Sequence, residues 1–328
     1  SNANGETGGA VAIGKETVSK GNNALALATA AHAIGTKSTA IGSDSRALAN
    51  NATALGNSAN ASADNATAIG SFATATGTKA VSMGTKAIVS GGESVALGAD
   101  SKVLGTNSVA IGSNTNITDI INGSAFGNYA SVSAASGTAL GAHANVTATA
   151  GVAIGMHSKT ATEYGVALGA FSVAKANDFN ATAKGATFNG TLVSFAGTNS
   201  GDLTGAVSVG TEEKQRQIQN VGAGRLSNTS IDAVNGSQLY AVMTNVGFNA
   251  AENGKPKARI NNDDKLNFKN GTETVATVSN SGDVVYDLSA SAKANITNAL
   301  STATAANTTA NAANTTANTA NATANTAN

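Results

Sequence analysis

The chain has 328 residues, 19 basic against 19 acidic side chains, 37 glycines, one proline, no cysteine, no tryptophan and 4% aromatic residues. Zero net charge offers no basic field to nucleic acid or to an anionic membrane, and the lack of cysteine excludes disulfides and thiolate metal sites. No run is long and apolar enough for a membrane helix, and no signal peptide is visible. Residues 1–7 read as a tag remnant (Ser1-Asn2-Ala3) and a lead-in, so the chain is expected to be an excised piece of a longer protein.

From residue 8 to 176 a tile recurs every fourteen residues, marked by Gly14, Gly42, Gly56, Gly70, Gly84, Gly98 and Gly112, with Ala28 standing in once. After one inserted residue the series continues at Gly127, Gly141, Gly155 and Gly169. A fixed period of this kind signals a stacked-repeat architecture. A large apolar residue precedes each glycine or its stand-in, from Ile13 and Leu27 to Ile154 and Leu168. Two places earlier comes a mostly β-branched column, from Val11 to Val166, and between the two sits Ala in every tile except at Ser82. Alternation at period two predicts a strand. The large residues are expected to face a core, and the alanine column a closely packed backbone of a neighbouring chain.

Glycine then allows a positive-φ corner. A second short strand follows, with small or β-branched residues such as Ala73 and Ala75 or Ala144 and Val146, and a second corner often carries glycine, as at Gly77 and Gly91. Two strands and two corners make one flat coil, and such coils stack about 4.8 Å apart as a parallel β-roll or β-helix. So thin a coil has little interior, so self-association is expected.

Past residue 176 the register fails. Residues 177–210 are expected to hold a β insertion, with Phe179, Phe188, Leu192, Val193 and Phe195, and a last coil at Val207-Ser208-Val209-Gly210. Residues 211–246 open with the densest charge in the chain, Glu212 to Arg216, and continue into a helix. Ser230 is its expected N-cap, Asp232 lies in its first turn, and Leu239, Val242 and Val246 form a seam that runs back onto Asn235 and Asp232. Polar residues at such core positions fix register and strand number. Residues 247–290 read as a small β connector. In 291–328 a seam at strict 4–3 spacing, Ala292, Ile296 and then alanines from Ala299 to Ala327, predicts a thin coiled coil despite intervening Thr and Asn.

A roll, a charged neck and a coiled coil together resemble the trimeric autotransporter adhesins. Asn107-Ser108-Val109-Ala110-Ile111-Gly112 matches the NSVAIG repeat of their YadA-like heads, and residues 207–239 resemble their neck through Val-Ser-Val-Gly, Arg216-Gln217-Ile218, Asp232 to Asn235 and Gln238-Leu239. The resemblance implies an all-β head, a left-handed parallel β-roll shared by three chains, then a trimeric coiled-coil neck and stalk with a small β connector. It also implies neck contacts between chains at Arg216, Asp232, Asn235, Gln238 and Leu239. In the family a C-terminal barrel, expected to be absent from this piece, anchors the protein in the outer membrane of a diderm bacterium.

No catalytic, cofactor or metal site is expected. His32, His143 and His157 lack thiol partners and a glycine-serine elbow, and a fourteen-residue coil does not fit the hexad repeats of β-helix acyltransferases. A threonine-rich ice-binding face is disfavoured because valines interrupt the Thr39, Thr53, Thr67 column. Two places after each repeat glycine (or Ala28) runs a varied column that ends in rings, Tyr129, His143, His157 and Phe171, on consecutive rungs and close enough to stack. These four are candidate ligand contacts, with a structural edge ladder as the alternative. The NSVAIG tiles of the family are implicated in binding collagen, which points here to Asn107, Ser108, Val109, Ala110, Ile111 and Gly112, with Val109 and Ile111 expected in the core. The reading is a non-enzymatic homotrimeric adhesin for extracellular matrix, host cells or other bacteria. The alternative is a spacer without a ligand of its own.

Overall fold

In the computed structural model, which describes residues 2–3, 8–175, 185–188, 191–196, 205–261 and 264–327, the tile is one turn of a parallel β-solenoid. The chain divides into two units, Ser1–Ala233 and Val234–Asn328. In the first, two thirteen-stranded parallel sheets run side by side. A broad sheet takes the three-residue strands from Val11–Ile13 to Val166–Leu168. A narrow sheet takes the two-residue strands from Val18–Ser19 to Val173–Ala174, with Asn2–Ala3 added at its start. Pairing is in register, tile position on tile position, as in Thr67↔Val81 and Ile69↔Met83. The inserted residue is absorbed at the corner after Ile117, where Val109 pairs with Ser124 and the columns resume.

The interior is made of the small residues, which reverses the expected facing. Ala26, Ala40, Ala54, Ala68, Ala96, Ala110, Ala125, Ala139, Ala153 and Ala167 are fully buried, as is Ser82 in the same column. From the narrow sheet Ala33, Ala47, Ala61, Ala75, Val89, Val103, Ile117, Val132 and Val146 complete the core. The large apolar column points outward: Ile13 is 57% exposed, Leu55 42%, Ile111 40% and Leu140 47%. Val109 is half-buried, so neither Val109 nor Ile111 is a core residue. Geometry is the reason. Two sheets joined by corners of a few residues enclose a space that methyl groups and β-branched side chains fill, and a leucine column on the inside would force them apart. Where the narrow sheet sends in its bulkiest side chains, the chain compensates with glycine: a Cβ on Gly137 would lie 2.8 Å from Val132 Cγ1 and 2.9 Å from Val146 Cγ1.

Both corners of every coil use left-handed backbone. The repeat glycines lie at φ between 105° and 143°, and two residues on a non-glycine residue sits near φ 55°, from Glu16 (58°) to Phe171 (62°). Seven residues away the opposite corner repeats the arrangement at Asn23, Asn51, Asn65, Asn107 and Asn122. Asparagine tolerates this region better than other non-glycine residues, which accounts for the Asn that opens the tile.

Val207–Ser208 returns to the solenoid as the last strand of the broad sheet, paired with Val166–Ala167, as the recurrence of the tile predicts. Between them the insertion forms an antiparallel hairpin, Gly185–Phe188 with Thr191–Ser194, with Leu192, Val193 and Phe195 exposed. Phe179 lies outside the described residues.

In the second unit, helix α1 spans Gly236–Asn245 and its N-cap is Asn235, not Ser230. Asn235 accepts from the Gln238 backbone N–H at 3.1 Å, and the Gln238 side chain accepts from the Asn235 N–H at 3.2 Å, a complete capping box. Asp232 and Asn235 therefore precede the helix and are not coiled-coil core positions. The connector is two antiparallel hairpins. The first, Gly247–Glu252 with Lys255–Asn261, turns at Asn253-Gly254 with both residues at positive φ, as Asn-Gly favours in a two-residue hairpin loop. The second pairs Thr274–Val278 with Val284–Leu288. Helix α2 then spans Ala290–Thr326, capped by Ser289. Threonine hydroxyls along it donate to the carbonyl four residues back, as Thr308 does to Thr304 at 2.9 Å, so these poor helix formers spend their hydroxyls within the helix. Of its residues only Ala292 is buried.

Candidate adhesive surface

The corner column brings Tyr129, His143, His157 and Phe171 onto one edge of the roll as a continuous stack. Ring centroids are 5.0, 4.7 and 5.2 Å apart, and the planes deviate from parallel by 8°, 8° and 12°. All four are exposed. The in-register pairing of the neighbouring strands sets the spacing, and the common backbone conformation, φ 55–62°, sends every ring out at the same angle. Lys214 closes the stack, with its Nζ 4.0 Å from the centroid of Phe171, within reach of a cation–π contact. Sequence alone marks residues 212–216 as charged. Which ring Lys214 meets depends on the return of Val207–Ser208 to the sheet, so the register of that strand was the missing signal.

The tile 107–112 offers less surface than its letters suggest. Asn107 is exposed at a corner with φ 54°. Ser108 is buried: its amide donates to Ser94 Oγ at 3.0 Å, and its own Oγ accepts from the Gly123 N–H at 3.0 Å. Ala110 is core, and Gly112 is a repeat corner at φ 135°. Ile111 and Val109 face out from the broad sheet, an aspect different from that of the ring ladder.

Within its own chain the neck is tied down at several points. Arg216 donates to Ser172 Oγ (3.0 Å), Val209 O (2.6 Å) and Ala170 O (2.6 Å), closing the end of the solenoid. Arg225 donates to both carboxylate oxygens of Asp232 at 2.7 and 3.1 Å, which holds that carboxyl below its ordinary value. On the roll, Lys79 and Glu93 pair across adjacent rungs at 2.6 Å; the hydrogen bond, then the charge of Lys79, lowers the Glu93 carboxyl. Leu239 on α1 is 57% exposed. Among the described residues no group of three or more His, Asp or Glu could hold a metal ion.

Residues 33–59, 61–87 and 90–115 match the family model of the YadA head domain repeat, and residues 217–262 match that of the coiled stalk of trimeric autotransporter adhesins. The head repeats and the stalk segment of this chain are thus similar to those of the trimeric autotransporter adhesins. Autotransporter adhesin BtaE of Brucella suis is 35% identical over 127 residues, 38% of this chain, and the chain spans only 17% of that relative. Two solved structures, of a YadA-like domain and of a YadA domain, are also similar. The C-terminal YadA-like domain of a Burkholderia pseudomallei protein shares 39% identity over 30% of this chain and 43% of that one, with a TM-score of 0.27. The collagen-binding domain of the Yersinia adhesin YadA shares 26% identity over 64% of this chain and 85% of that one, with a TM-score of 0.38. Trimeric autotransporter adhesins are attachment proteins and not enzymes. The stalk match covers the neck from Gln217 onward, α1 and the first connector hairpin, and the head matches fall on the coils before the ring ladder.

Proposed function

We propose that this chain forms head, neck and stalk segments of a homotrimeric adhesin on the surface of a diderm bacterium, held in the outer membrane by an anchor characteristic of the family. It attaches to extracellular matrix, to host cells or to other bacteria. The carrying observation is the outer face of the broad sheet, where a large apolar side chain stands out from each coil from Ile13 to Leu168, half-buried or exposed. A soluble single chain rarely leaves so continuous an apolar face to water. Three copies meeting on this face supply the hydrophobic interior that each coil lacks, and the almost wholly exposed helix α2 gains partners in the same assembly. Arg216, Asp232, Asn235, Gln238 and Leu239 lie in the neck where the chains then run together.

Attachment uses repeated shallow contacts on a stiff rod, three of each per trimer, so weak single contacts add up through avidity. The contact residues are the ladder Tyr129, His143, His157 and Phe171, with Asn107 the member of the tile Asn107–Gly112 that stays outside the face where the chains meet. Light scattering over a range of concentrations tests the assembly, and a mass near three times 31.8 kDa is expected. Binding of that trimer to immobilised collagen, host cells and bacteria tests the function. A trimer that binds none of them would be a spacer for a binding domain elsewhere. A folded monomer would remove the basis of the reading.

A further inference from the structure

Stacking uses up the faces of aromatic rings. In the ladder each ring lies nearly parallel to its neighbours, and Lys214 sits over Phe171 at the end. A ring is negative on its faces and positive around its edge, so an exposed stack with paired faces offers its edges to solvent. Those edges carry hydrogen-bonding groups with no work inside the chain: among the described residues the side chains of Tyr129, His143 and His157 make no hydrogen bond, whereas the His32 ring bonds the carbonyl of Ala30 at 2.7 Å. The charges around the ladder are mainly positive. Lys159 is exposed two residues beyond His157, and Lys214 closes the column. Lys175 is paired with Glu212 at 3.2 Å, Arg216 is occupied with Ser172, Val209 and Ala170, and Glu213 is the remaining acid of that turn.

We propose that this edge-on ladder, with Lys159 and Lys214 beside it, binds an acidic polysaccharide laid along the rod axis. The assignment deepens the adhesive reading and rests on it. Donors and positive edges recur at 4.7–5.2 Å, matching a polymer that repeats its carboxylates or sulfates regularly. Neutral sugars, which pack on ring faces, find the faces between the rungs and the outer face of Phe171 taken. An extended acidic peptide rises about 3.3 Å per residue and falls out of step with the rungs.

The test titrates the full chain with dextran sulfate (sulfate alone), polygalacturonate (carboxylate alone), neutral dextran and polyglutamate. Binding of one or both acidic polysaccharides is expected, and which of them binds identifies the anion. Neutral dextran should not bind, and affinity should fall with salt. The double variant His143→Phe/His157→Phe keeps four stacked rings but removes the imidazole nitrogens. Together with Lys214→Gln, tested separately, it should weaken binding roughly tenfold or more, the weight of a lost charge-assisted contact, at unchanged mass and melting temperature. Unchanged affinity in the double variant, equal binding of neutral dextran, or equal binding of polyglutamate overturns the proposal. So does loss of the trimer in the double variant, which would make the ladder a contact between chains. Adhesion of the parent chain to cells or matrix without binding of either acidic polysaccharide removes this assignment and leaves the adhesive function standing. Absence of all adhesion removes both.

Discussion

Ala28 is the one repeat corner of the roll without glycine, and it sits at φ 106°, where its neighbours along the stack, Gly14 and Gly42, lie at 136° and 126°. A Cβ at such a corner is crowded by the next coil: on Gly98 it would lie 2.4 Å from the Gly112 carbonyl oxygen. Strain of this sort costs about 1–3 kcal/mol, and glycine returns only about 0.4–1 kcal/mol through the freedom of the unfolded chain. Ala28→Gly should therefore stabilise the head by about 1 kcal/mol, and a lower denaturation midpoint would refute this. Ser82 makes the matching case inside. Its hydroxyl is buried without a hydrogen-bond partner among the described residues, in a column that is otherwise alanine. A buried unsatisfied group costs about 1–3 kcal/mol, so Ser82→Ala should also raise the midpoint.

At the level of elements, the fourteen-residue period, the strand at each tile, the return at Val207 and the final helix were all legible in the sequence. The facing of the strand was not. Alternation says that Val109 and Ile111 share one side and Ala110 takes the other, but it does not say which side is inside. The usual inference from size fails because the space inside a coil is set by the length of its corners, and that space suits Ala110. The neck misled for a related reason. The 3–4 spacing of Leu239, Val242 and Val246 is real, but Asn235 meets the helix with its side chain folded back as a cap, which ends the seam. Ahead of that cap, Arg225 keeps the Asp232 carboxyl below its ordinary value of 3.8, chiefly by hydrogen bonding. A group depressed in the folded state stabilises it fully above the ordinary value and loses that contribution as pH falls through the lower folded value. The Arg225–Asp232 tie should therefore persist near neutral pH and break in strong acid. Asp232→Asn should flatten the acid limb of neck unfolding, followed by circular dichroism, and an unchanged limb would count against it.

For the whole molecule, the division of labour follows from where the large side chains went. Alanine and backbone hold one coil on the next, and the Ile, Leu and Val column is left for other chains. Leu55→Asp with Ile111→Asp places two charges on a surface that is already exposed in one chain, so the interior of the coil is untouched. If three chains meet there, the buried charges are costly, and the scattering mass should fall from three chains toward one, with loss of head structure if single coils cannot stand alone. Ser131→Asp with Asn145→Asp, on the outside of the narrow sheet, should leave the mass unchanged. An intact trimer in the first pair would move the interface elsewhere.

Because every coil rests on a coil like itself, the solenoid has no privileged length. Losing or gaining fourteen codons within the repeat would lower or lift everything beyond it by one rung and leave each contact with an equivalent partner. A slip of one residue is also survivable, as the fifteen-residue step from Asn107 to Asn122 records: the extra residue is taken up at a corner and the columns resume at Ser124. The reach of the head is thus a heritable variable that replication slippage in repetitive DNA can adjust in whole steps, leaving the chemistry of the remaining rungs as it was.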